Sequence, residues 1–146
     1  MRKPLWSLPP NRVRRNYRGG AVLDALAGIE PAQDSNRPED WIASVTEARN
    51  PGLPPISGEG LSPVLVSGFP QALRDLLLQE PEYYLGAAHL SRLGRELGFL
   101  AKLLDSSIRL HVQAHPTAQF AQSHLNSRWG KMETYVILAV RPGVEP

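Results

Sequence analysis

The amino-acid sequence predicts a mixed, β-rich fold in which short strands carry most of the architecture and a helical region packs beside them. Three observations point there. Fourteen prolines in 146 residues are roughly twice the average usage, and proline blocks helix interiors while marking turns and strand ends. The stretch Ile108 to His115 alternates strictly, with Ile108, Leu110, Val112 and Ala114 on one side and Arg109, His111, Gln113 and His115 on the other. That period of two is the signature of a half-buried strand. Met132 to Val140 is a nearly continuous run rich in Tyr, Val and Ile, as expected of a strand buried on both faces.

Residues 1–20 show little periodicity and are expected to be an irregular arm, with Gly19-Gly20 as a turn signal. Ala21 to Ala27 fits a short helical turn, and Glu30 to Glu39 is polar and proline-bounded, hence loop. Trp41 to Thr46 combines aromatic and β-branched types and predicts a short strand, with Trp41 as a core or sheet anchor. Asn50 to Gly60 holds three prolines and three glycines and must be loop. Residues 70–98 form the helical region. Leu73, Leu76 and Leu77 follow helical spacing up to Pro81, and Leu90, Leu93 and Leu97 share a second face that Gly86 and Gly94 weaken. Phe99 to Asp105 suits either a helix or a buried strand. Pro116 stands where a first helical position belongs, opening a short helix toward Asn126-Ser127, and Gly130 marks the next turn. Residues 99–143 thus carry the chemically interesting strands of what is expected to be a single domain.

Composition excludes several function classes. There is no cysteine, so any metal must be held by nitrogen and oxygen. No apolar run reaches the length of a membrane span, and the basic start Met1-Arg2-Lys3 develops no apolar signal core; a cytoplasmic protein is expected. Net charge is +2. Arg12, Arg14, Arg15 and Arg18 cluster near Tyr17, but no nucleic-acid motif follows, and a solvated N-terminal arm is the simpler expectation.

Alternation places Gln113 and His115 on one face, about 7 Å apart at roughly 3.4 Å per residue. In the following strand Lys131, Glu133 and Tyr135 also share a face. Should the two strands lie close, imidazole, carboxylate and amide oxygen would suit Zn²⁺ or a similar divalent ion. By spacing alone, a strand histidine beside a glutamine is as readily a surface or hydrogen-bonded residue, and His111 is a competing ligand or a solvent-facing residue.

The run Lys102-Leu103-Leu104-Asp105, then Val112-Gln113-Ala114-His115-Pro116, then Gly130-Lys131-Met132-Glu133 and the ending Ala139 to Gly143 resemble the type I phosphomannose isomerases (mannose-6-phosphate isomerases) in order and spacing. Fainter echoes lie at Arg18-Gly19-Gly20, Pro38 to Trp41 and Gly58 to Ser62. The resemblance implies a partial cupin-type (jelly-roll) β-barrel beside a helical region. It also implies an enzyme interconverting mannose 6-phosphate and fructose 6-phosphate, with Gln113, His115 and Glu133 as ligands of one zinc ion and Lys131 in the sugar-phosphate pocket. His111, Thr117 and Tyr17 depart from the family pattern, where serine or proline, aspartate and tryptophan are usual. Family members also continue further, supplying another histidine ligand, a phosphate-binding arginine and the remaining strands. A truncated catalytic region with little isomerase activity is therefore expected, the alternative being a non-catalytic cupin-like metal- or sugar-binding module.

Overall fold

The computed structural model describes residues 6–144; the basic start Met1 to Leu5 lies outside them. Two compact units form, Met1–Ile108 and Arg109–Pro146.

The first unit is built on a three-stranded antiparallel sheet in the order β1 (Arg12–Val13), β2 (Glu39–Ile42), β5 (Ala101–Leu104). Its register sets Val13 and Leu104 opposite Glu39, with Ala101 opposite Ile42. A two-stranded hairpin, β3 (Pro63–Val66) with β4 (Phe69–Ala72), turns through Ser67-Gly68. Helices α1 (Ala21–Leu26), α2 (Leu73–Gln79), α3 (Pro81–Leu85) and α4 (Ala87–Leu93) complete it. The fold is thus mixed, with small antiparallel sheets and no closed barrel among the described residues.

The helical periodicity places its elements well. Leu73, Leu76 and Leu77 of α2 are buried with Val64 of β3, and Trp6, Leu8, Val66, Tyr84 and Leu97 pack against that cluster. Pro81 starts α3 where its missing N–H costs nothing, Gly86 separates α3 from α4, and Gly94 closes α4. Of the two readings of Phe99 to Asp105, the strand holds, because Ala101 to Leu104 finds a partner in β2. The expected strand at Trp41 to Thr46 is displaced toward the N-terminus. It begins at Glu39 and ends at Ile42, since Ala43 takes a left-handed φ of 49° that breaks the ladder.

Residues 6–20 are mostly irregular, as expected, but the solvated arm expected for the arginine cluster is corrected. Arg12–Val13 enters the sheet, and each clustered arginine has an internal partner. Arg12 pairs with Asp24 at 2.5 Å, Arg14 with Glu59 at 3.0 Å and Arg15 with Glu39 at 2.9 Å, while Arg18 donates to the Asp34 carbonyl at 2.9 Å. A sequence shows the clustering of like charges but not the distant carboxylates that neutralise them.

Glu39 is the centre of this arrangement. Its carboxylate, 2% exposed as a residue, accepts from the Tyr17 hydroxyl at 2.6 Å and the Trp41 indole N–H at 2.7 Å. Arg15 and Lys102 sit at 2.9 and 3.4 Å. Arg15 also lies over the Trp41 ring, 5.1 Å from its centre. Trp41 is thereby the buried anchor expected of it. Nearby, Asp105 accepts from the backbone N–H groups of Gly20 and Val22 at 3.0 and 2.8 Å, tying the end of β5 to the start of α1. Gly19 lets the chain pass this point, since a Cβ there would lie 1.9 Å from the Asp105 carbonyl oxygen. No helix among the described residues is long and apolar enough to cross a membrane.

Burial pushes the Glu39 carboxyl up, but the hydrogen bonds from Tyr17 and Trp41 and the charges of Arg15 and Lys102 outweigh it and hold it below the usual range. With the folded value depressed, the stabilisation is complete above the unfolded value of about 4.3. It is lost as pH falls through the folded value. Glu39→Gln is expected to lower the stability of the first unit by about 2–3 kcal/mol at neutral pH and to weaken its acid sensitivity. Urea unfolding followed as pH is lowered checks both; an unchanged midpoint at neutral pH would count against the role given to Glu39.

Candidate metal centre

All the sequence-derived site residues fall in the second unit, Arg109–Pro146. Its regular element is α5 (Ala118–His124), whose N-cap Thr117 accepts from the Phe120 N–H at 3.1 Å. Pro116 therefore precedes the cap rather than occupying the first helical position. The residues Ile108 to His115 and Met132 to Val140, expected as strands, form no strand or ladder among the described residues. Nor is the second run buried: Met132, Val136, Ile137 and Leu138 are at least 73% exposed. Apolar composition marks surface that would favour burial, but burial requires a neighbouring layer that composition cannot supply.

The helix nonetheless holds the two segments together. After α5 the chain returns so that the Lys131 N–H donates to the Pro116 carbonyl at 2.9 Å. Gly130 permits this close pass, because a Cβ there would lie 2.6 Å from the Ala118 nitrogen and 2.7 Å from the Pro116 oxygen. One backbone bond thus sets residue 131 beside residue 116, and from there the side chains of Lys131 and Glu133 reach His115.

Four side chains meet there. His115 Nε2 lies 3.4 Å from Gln113 Oε1, 3.2 Å from Glu133 Oε2 and 3.2 Å from Lys131 Nζ. Lys131 Nζ is 3.0 Å from the same Glu133 oxygen, and the Tyr135 hydroxyl donates to Glu133 Oε1 at 2.6 Å. The Glu133 side chain is 13% exposed and that of His115 25%, whereas Lys131 is about half exposed. His111 is exposed, and no hydrogen bond or ion pair joins it to the cluster among the described residues. His124 is also exposed, stacked on Phe120 at 4.4 Å.

Neutral imidazole offers at Nε2 either one N–H or one lone pair, so it can satisfy one of its three neighbours at a time. Lys131 Nζ supplies the cation that His115 Nε2 and Glu133 Oε2 share, the place a divalent ion would take. The separations agree with that chemistry: two ligands about 2.0–2.1 Å from one zinc, at a tetrahedral angle, lie about 3.3–3.4 Å apart. No group of three or more His, Cys, Asp and Glu residues that could hold a metal ion is found among the described residues. Beside His115 and Glu133 the cluster adds only an amide oxygen, that of Gln113.

Tyr135 is the contributor that sequence reasoning passed over. Its shared face with Glu133 was legible, but its hydroxyl contact depends on a rotamer that periodicity does not specify. Gly130→Ala is expected to destabilise the second unit by about 1–3 kcal/mol through backbone overlap. Amide exchange at Lys131 reads it directly, and undiminished protection would show that the pass is not as tight as the geometry requires.

No family model, curated protein or solved structure matches this chain.

Proposed function

We propose that the chain carries the metal centre of an aldose–ketose isomerase, acting on mannose 6-phosphate and fructose 6-phosphate as its motif resemblance implies. The observation that carries this reading is the approach of Gln113 Oε1 at 3.4 Å and Glu133 Oε2 at 3.2 Å to one atom, His115 Nε2. These residues would hold one Zn²⁺. Three protein ligands with a remaining open position is the usual composition of a catalytic rather than a structural zinc site. The cupin-type barrel belongs to the same proposal, with residues 109–116 and 131–140 as two of its strands.

A bound divalent ion would supply Lewis-acid stabilisation of the negative charge that develops on neighbouring sugar oxygens as a proton moves between their carbons. The chain's own side chains supply the rest. Gln113 brings a neutral oxygen, so the donor set carries a single negative charge, on Glu133. Lys131 places a cation beside the ligands with half of its side chain open to solvent, where it can donate to a sugar oxygen or a phosphate. Its ammonium also meets Glu133 and His115 on the atoms that would bind metal, so it must turn outward as the ion enters, toward the side from which a ligand approaches.

A second reading, a metal- or sugar-binding module without turnover, draws on the openness of the site. Gln113 is exposed, and Val112 and Met132 beside the ligands are almost fully so. Such a surface excludes water poorly, and water exclusion strengthens electrostatic catalysis.

Metal analysis after dialysis against zinc is expected to find one equivalent, lost in Glu133→Ala and His115→Ala. Full zinc retention by Glu133→Ala would refute the ligand assignment. A coupled assay is expected to detect slow, zinc-dependent formation of fructose 6-phosphate; zinc binding with no conversion would leave the second reading standing. Lys131→Met is expected to keep its zinc and lose turnover by about a hundredfold or more, so undiminished turnover would remove Lys131 from the chemistry.

A further inference from the structure

Among the groups around the metal centre, the Tyr135 hydroxyl has no part in the ligand set, yet it makes the shortest hydrogen bond there. It donates to Glu133 Oε1 at 2.6 Å, within the range of a charge-assisted O–H···O⁻ bond. The two residues are two apart in the chain, outside any helix or strand, and the contact itself brings their side chains together. The Tyr135 ring is 53% exposed, so burial does not force the hydroxyl onto the carboxylate. The bond divides the two Glu133 oxygens: Oε1 is engaged by tyrosine, and Oε2 faces Lys131 Nζ at 3.0 Å and His115 Nε2 at 3.2 Å.

We infer that Tyr135 is a positioning residue for the metal, holding the Glu133 carboxylate so that it offers one oxygen, Oε2, to a cation shared with His115 and Gln113. This rests on the metal-centre reading and adds to it a control on coordination mode. A carboxylate free to rotate can offer both oxygens to one ion, whereas a donor held on one oxygen engages one of its lone pairs and turns the carboxylate to present the other oxygen. The hydrogen bond thereby favours the low coordination number that keeps a position open for substrate. Groups that orient a ligand from behind change metal affinity about 10- to 100-fold when removed, and Tyr135 is in that position.

The test compares the full chain with its Tyr135→Phe variant in zinc titration against a competing chelator, and in the visible spectrum of the Co²⁺-substituted protein. Tyr135→Phe is expected to bind zinc about 10- to 100-fold more weakly. It is also expected to shift the cobalt absorption toward the weaker bands of higher coordination, while the metal-free protein unfolds at an unchanged temperature. Tyr135→Gln, whose amide N–H can reach the same oxygen, should recover part of the affinity.

Wild-type affinity and an unaltered cobalt spectrum in Tyr135→Phe would overturn the inference while leaving the metal centre intact. Failure of the unaltered chain to bind zinc would instead remove the reading beneath it. Should Tyr135→Phe not fold, the Tyr135→Gln protein decides: weak binding with an altered spectrum despite the restored donor, or a second failure to fold, would assign Tyr135 to the fold and overturn the proposal.

Discussion

A carboxylate buried in the first unit imposes more on its surroundings than any other group there. Glu39 is nearly inaccessible, and an isolated charge in that position would be strongly disfavoured. Its negative charge is tolerable because Tyr17, Trp41, Arg15 and Lys102 all converge on it. Those partners come from the N-terminal segment, from β2 itself and from β5, so satisfying one carboxylate brings three distant parts of the chain together. The three-stranded sheet and the neutralisation of Glu39 are therefore two aspects of one requirement. Asp105, immediately after β5, repeats the device on a smaller scale by accepting two backbone N–H groups at the start of α1.

The second unit is organised differently. It has no comparable buried core: Ala121 is its one fully buried hydrophobic residue among those described, and most of the run from Met132 to Val140 faces solvent. Its order comes from local devices, namely the Thr117 cap of α5, the close pass at Gly130 and the backbone bond from Lys131 to Pro116. These suffice to bring the donor atoms of Gln113, His115 and Glu133 together, because a short helix with one backbone clamp fixes the relation between the residues that flank it. The cluster is accordingly local, spanning only residues 113–135.

That locality bears on the chemistry. Lys131 and the proposed cation compete for the same atoms, Nε2 of His115 and Oε2 of Glu133. A lysine ammonium satisfies them as a point charge with hydrogen-bond donors, and a divalent ion does so as a Lewis acid with fixed distances. The site thus has two ways to neutralise Glu133. The Tyr135 hydroxyl, donating to the other oxygen of Glu133, holds the carboxylate on which both would act.

The sequence alone determined the elements whose cause is local. Helical leucine spacing located α2, with Pro81 marking its end, and the alternation of residues 108–115 put Gln113 and His115 on one face; the second helical pattern holds only over α4, because Gly86 and Gly94, expected to weaken it, end it on both sides. Motif order likewise pointed to Glu133 and Lys131 before their distances were known. Other features were decided in three dimensions. The arginine cluster read as a solvated arm because the carboxylates that bind it lie 12 to 45 residues away. The strand at Trp41 shifted because a left-handed Ala43 ends the ladder early. The run from Met132 to Val140 read as doubly buried because composition reports what surface would gain by burial, while only a packed neighbour provides it. Gln113, His115 and Glu133 were legible as residue types with compatible spacing; their meeting at one point depended on the Gly130 pass and the Lys131 backbone bond, which no pattern of side chains encodes.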